Sequence, residues 1–98
     1  MRFFGFDWDD GNRAKCEKHG VSADEIEAMF ARGPRIAPDE RHSGDEERFI
    51  AVGVHANGRP VFVAFTMRRK DDGVYLRPIS ARFMHRKEAV RYERQDEA

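Results

Sequence analysis

Val61 to Phe65 is apolar at every position, and this short run constrains the chain more than any other stretch. Five residues are too few for a helix to stand alone. A strand with no polar face belongs inside a sheet, between neighbours on both sides. The run continues to Met67, and a second apolar, β-branched run covers Phe49 to Val54. Asn57-Gly58 lies between them, the pair best suited to a type I′ turn, where both central residues take positive φ. A further turn at Asp71-Asp72-Gly73 leads into Val74 to Phe83. Pro78 in that stretch has no N–H to give a ladder, which predicts an edge position or a bulge.

Helices flank the sheet. Phe3, Phe4, Phe6 and Trp8 predict a short first strand that ends at an acidic cap. Asp9 or Asp10 then starts a helix running to about Lys18, closed by Gly20 in the left-handed region. Ser22 and Glu25 form an S-x-x-E capping box, with Val21 and Ile26 as its hydrophobic staple. Ile26, Met29 and Phe30 give this second helix one apolar face, and Gly33-Pro34 stops it. Residues 35–47 read as a long loop or an edge segment. A last helix is predicted from His85 to about Gln95, with Lys87, Arg91 and Arg94 along one face. Two helices, an antiparallel sheet and a C-terminal helix make an α+β fold. The size fits one domain over residues 1–98.

Charge narrows the function classes. The 18 basic and 18 acidic side chains cancel, whereas dedicated nucleic-acid binders are usually basic. The charges are segregated, however. Residues 39–47 hold five carboxylates against Arg41, and residues 77–94 hold six cations against Glu88 and Glu93. Such separation focuses potential on an anion even at zero net charge. Cys16 stands alone, so no intrachain disulfide forms, as expected in a reducing compartment. The longest apolar run falls far short of the roughly 20 residues that span a bilayer. Met1 to Phe6 is also too short for a signal peptide. A cytoplasmic protein without a membrane partner is expected.

Two distant stretches carry the chemistry. One is Lys15-Cys16-Glu17-Lys18-His19-Gly20-Val21-Ser22; the other is Ile79-Ser80-Ala81-Arg82, followed by Arg86-Lys87-Glu88 and Arg91-Tyr92-Glu93. Each combines fixed positive charge with a group able to move a proton, which suits a phosphodiester. Asp39, Glu40, His42 and Asp45 match no ligand spacing known for a metal, so no metal or other cofactor is expected. Cys16 has His19 three residues on but reads as a core residue rather than a nucleophile.

Five short motifs, in order, resemble the BrnT toxins over roughly residues 3–93. They are Phe6-Asp7-Trp8-Asp9, Lys18-His19-Gly20-Val21-Ser22, Glu47-Arg48-Phe49-Ile50-Ala51-Val52-Gly53, Phe65-Thr66 and Ile79-Ser80-Ala81-Arg82. The resemblance implies the toxin half of a type II toxin–antitoxin pair with a RelE-like fold, a ribonuclease that arrests translation. It implies a BrnA-like ribbon-helix-helix antitoxin as partner, RNA as substrate, and operator DNA contact only through the antitoxin complex. The chain departs from the family at Lys15-Cys16, where an Asn-apolar pair often stands, and at Pro78, commonly an apolar strand residue.

On that reading the site cleaves RNA without metal, the ribose 2′-hydroxyl attacking the adjacent phosphate. His19 is the base or acid, since an unperturbed histidine titrates around pH 6.5, and Glu47 is the rival base. Arg48 and Arg82 clamp the phosphate. Lys15, Lys18, Arg77, Arg86, Lys87 and Arg91 hold flanking phosphates, and Tyr92 stacks on a base or donates a proton. Each residue also has a plain structural reading. His19 suits a helix C-terminus, Arg82 an ion pair with Glu47 or Glu88, and the cations of the last helix a solvated face. The alternative function is a non-catalytic interaction module whose basic C-terminal helix docks an acidic partner.

Overall fold

The computed structural model describes residues 2–41, 44 and 46–97, those of 92–97 by backbone alone. Its elements are β1 (Gly5–Phe6), α1 (Asp10–Glu17), α2 (Ala23–Ala31), β2 (Arg35–Pro38), β3 (Arg48–Val54), β4 (Pro60–Lys70), β5 (Gly73–Phe83) and α3 (Arg86–Glu97). The class is α+β, as the order of patterns predicts.

The capping chemistry forms as read. Asp9 caps α1, its carboxylate accepting from the Asn12 N–H while Asn12 Oδ1 accepts from the Asp9 N–H. Ser22 and Glu25 exchange the same pair of bonds at α2. Val21 and Ile26, the staple, are both buried. The Glu17 carboxylate also accepts from the Ala23 N–H, so the end of α1 caps the start of α2. Gly20, at φ 90°, makes the left-handed turn between them.

The five strands lie in the order β1-β5-β4-β3-β2. The meander β2 to β5 is antiparallel, but β1 pairs parallel with β5, Gly5 opposite Tyr75 and Phe6 opposite Leu76. The sheet is therefore mixed, which corrects the purely antiparallel expectation. A two-residue strand carries too little pattern to reveal its direction. The β3–β4 hairpin forms where expected, yet its turn is not type I′. Among the described residues only glycines take positive φ, and Asn57 does not. Side-chain bonds hold it otherwise: the Asn57 N–H donates to His55 Nδ1, and its own Oδ1 accepts from the Arg59 N–H.

Part of the 35–47 segment is the edge strand β2. Asp39 N–H donates to Arg48 C=O, and Ile36 and Pro38 lie between the bonded pairs of the β2–β3 ladder. Their backbone nitrogens thus point away from β3, and at Pro38 that nitrogen carries no hydrogen.

The core lies between one face of the sheet and the two N-terminal helices. Cys16, Val21, Ile26, Met29 and Phe30 meet Ala51, Val61, Val63, Phe65, Leu76 and Ala81. Phe65 stacks on Phe49 and takes the edge of Phe30. Gly53 makes room for Met29, since a Cβ on it would come within 2.5 Å of the Met29 Cγ.

Candidate functional site

The register decides which side chains share a face. Arg48 pairs with Thr66 and Thr66 with Arg77, a row across β3, β4 and β5. Directly paired residues project to one side, and this side is opposite the core. Two rows along, Phe62 pairs with Arg82 on that same side. Arg77 and Arg82 are five apart, so in a regular strand they would face opposite ways. A bulge prevents it: Phe65 pairs with Pro78 and Ala64 with Ser80, leaving Ile79 as the extra residue. The irregularity that Pro78 predicts thus brings three arginines to one face of the sheet. Thr66 lies among them, buried, its hydroxyl bonded to no described residue.

Arg82 and Arg77 are both held by carboxylates. Arg82 sends Nη1 to Glu88 Oε1 and Nη2 to Glu88 Oε2, both at 2.8 Å, with its guanidinium over the Phe62 ring at 4.7 Å. The Arg82 charge holds the Glu88 carboxyl below the usual range, with the His85 backbone N–H helping. Of the two partners open to Arg82 in sequence, Glu88 is the one found. Arg77 donates to Asp9 at 2.8 Å and to Asp7 at 3.3 Å, which ties the start of α1 to β5. The Asn12 N–H and then Arg77 keep the Asp9 carboxyl low, and Asp9 in turn raises Arg77. Arg77 and Lys15 line one depression of about 230 Å³ with Asn12 and Pro78.

The remaining candidates lie on or beside other elements. His19 and Lys18 are exposed beyond the last turn of α1. Gly20 lies near Phe83, a Cβ there meeting its ring at 3.9 Å, which puts His19 at the same end of β5 as Arg82 but beside a residue of the core side of the sheet. Glu47 is exposed just before β3. Arg86, Lys87 and Arg91 are exposed on α3, with Arg86 lining a separate cavity beside Val54, Pro60 and Val90. The Tyr92 side chain, His42 and Asp45 lie outside the described residues.

Two groups change in meaning. Cys16 is buried, and burial pushes its thiol up to about 11, so it stays protonated at neutral pH and unsuited to attack. His55, unremarked in sequence, contacts Glu25 through Nε2 and packs edge-on to Phe83. Its Nδ1 accepts from Asn57, so Nε2 carries the proton, and the ring locks α2 to the hairpin. With both nitrogens engaged it is a poor general base. Glu25 and His55 are thirty residues apart, and no sequence signal joins them. Asn12 was also missed: Nδ2 donates to the carbonyls of Asp7 and Pro78, fixing α1 to the bulge.

One comparison with known proteins gives a match. A family model described as "Ribonuclease toxin, BrnT, of type II toxin-antitoxin system" covers residues 8–88, from Trp8 to the first turn of α3. No curated protein matches. The matched span takes in the caps of α1 and α2, the sheet row and the Arg82–Glu88 pair, and the chain belongs to the BrnT family of ribonuclease toxins.

Proposed function

We propose that this chain is a metal-independent endoribonuclease of RelE-like design, acting on RNA in the cytoplasm and neutralised by a BrnA-like ribbon-helix-helix antitoxin. The observation that carries the reading is the convergence of Arg48, Arg77 and Arg82 on one sheet face.

The reaction needs no group from outside the chain. The 2′-oxygen bonds to the adjacent phosphorus as its proton passes to a base, His19 or Glu47. The P–O5′ bond breaks, and a protonated group, His19⁺ or Tyr92, supplies the proton to the leaving oxygen. The products are a 2′,3′-cyclic phosphate and a 5′-hydroxyl. Between them stands a phosphorane carrying extra negative charge, which Arg82 and Arg48 stabilise. Losing one such donor typically removes about 3–4 kcal/mol of transition-state stabilisation. Lys15, Lys18, Arg77, Arg86, Lys87 and Arg91 hold phosphates on either side, which makes binding salt-dependent. Operator DNA is met only through the antitoxin complex.

The test is cleavage of RNA in EDTA by the purified chain, beside growth and total RNA after expression from a tightly repressed promoter. Wild type is expected to cleave and to arrest growth. Arg82→Ala should lose on the order of a hundredfold or more in rate at equal protein level. Cleavage by both proteins moves the chemistry away from Arg82. If both fold and neither cleaves, the reading fails, and an interaction module that docks an acidic partner takes its place.

A further inference from the structure

Two hollows lie side by side where the end of α2, the β3–β4 hairpin and the start of α3 meet. One, of about 330 Å³, runs from Met29 and Gly53 to Ala89. The other, of about 600 Å³, runs from Gly58 and Met84 to Val90. They share Val54, Pro60 and Ala89, and so form one groove. The fold uses only part of its apolar lining. Val54 is 54% exposed and Val90 39%, two of the four large hydrophobic side chains that the described residues leave open. Ala89 is buried, so α3 settles on the hairpin by one small residue and leaves the valine beside it in water. Single exposed apolar residues need no explanation, but two in one groove do.

The rim of the groove has one sign. Among the described residues that line it are four arginines, Arg32, Arg35, Arg59 and Arg86, and no carboxylate. At two of them the contacts within the chain leave the charge standing. Arg32 donates to the Val54 backbone C=O, a neutral acceptor. Arg59 lies over the Phe83 ring at 4.0 Å, which offers a quadrupole and no net charge. Neither is a residue assigned to RNA. Arg86 is the first residue of α3, a cation at the positive end of the helix dipole. An anion brought to this corner relieves that arrangement.

From this arrangement we infer that the groove is the docking site for an acidic, amphipathic segment of another polypeptide, with apolar side chains in the two hollows and carboxylates on the arginine rim. Charge complementarity selects the occupant. A nucleic acid meets the same cations, but among the described residues no aromatic ring lines either hollow for a base to stack on. A second copy of this chain offers its acidic stretch 39–47, which carries no large apolar side chain to fill the hollows. Buried apolar anchors supply most of the affinity at such a site, and the arginines supply orientation and rate of encounter. The inference stands whether or not the arginine row cleaves RNA. It also differs from docking on α3 alone, since α3 gives one wall, and its cations Lys87 and Arg91 line neither hollow.

Selection from a displayed library of random linear peptides against the immobilised full chain tests this, followed by titration of synthetic copies of the enriched peptides. Acidic sequences with interspersed apolar residues are expected to be enriched, and their binding should weaken as ionic strength rises. Val54→Asp and Arg59→Glu should each weaken that binding by roughly tenfold or more. Arg69→Glu, an equal charge change at an exposed position outside the groove, should alter it by less than about twofold. Val54 and Arg59 are exposed, so both variants should melt like wild type, and Val90→Asp replaces either one that does not. The inference is overturned if no peptide is enriched, if the enriched peptides lack acidic residues, or if they bind the groove variants as tightly as wild type. A monomer–dimer equilibrium that Val54→Asp abolishes would overturn it in favour of a second copy. Loss of 2′-O-methyl RNA binding in Val54→Asp would overturn it in favour of RNA.

Discussion

Asn12 shows how much one neutral side chain can organise. Its amide closes the α1 cap through Oδ1 and reaches both the Asp7 and Pro78 carbonyls through Nδ2, so both amide hydrogens are used. The charged residues around it follow a common rule. Asp9, Glu25 and Glu88 each sit at a helix N-terminus, and all three carboxyls are held below their ordinary range. For Glu25 the Ser22 N–H is the first cause and His55 the second. The folded chain therefore binds their protons less readily than the unfolded one. Their contribution to stability is present above the unfolded values near 4 and is lost as pH falls from there through the lower folded values. Thermal melts between pH 3 and pH 7 should show a falling melting temperature on the acid side. Asp9→Asn, which still caps a helix, should flatten that slope. An unchanged slope in this variant would remove Asp9 from the account.

At the scale of elements, packing leaves less room than composition suggests. Gly53 on β3 faces Met29 on α2 so closely that an added methyl group needs the methionine to move. Gly53→Ala is expected to destabilise by about 1–3 kcal/mol, as overpacked cores do. Combined with Met29→Ala, it should cost less than the sum of the two single changes, read from urea unfolding. Additive losses would show that the contact is not the cause. The same elements show what a sequence discloses. The acidic cap of α1, the Ser22–Glu25 capping box, the staple, the hairpin and the helix stops are local, decided within four or five residues, and they stand where the pattern puts them. The turn type was misread because His55 and Asn57 bond to the turn's own backbone. The direction of β1 was hidden because two residues hold no periodicity. Arg82 with Glu88 was visible as one of two pairings. The shared face of Arg77 and Arg82 was not, because a proline flags a bulge without naming the residue it adds.

At the scale of the molecule, one sheet face serves the fold and the other carries the arginines. Apolar patterning disclosed the first, since every core residue obeys it. The second depends on register across three strands, which no local window contains. The far border of the sheet has its own character, for β2 is exposed along its length. Pro38→Val should restore a donor at that border and shift the chain toward larger species on size-exclusion chromatography. An unchanged elution volume across a wide concentration range would argue that something other than the proline guards the edge. Of the outward positions Ile36 and Pro38, only Ile36 offers an N–H to an approaching strand. A growing stack of sheets needs a run of such donors, so this one stops at five strands and makes a poor seed for a filament.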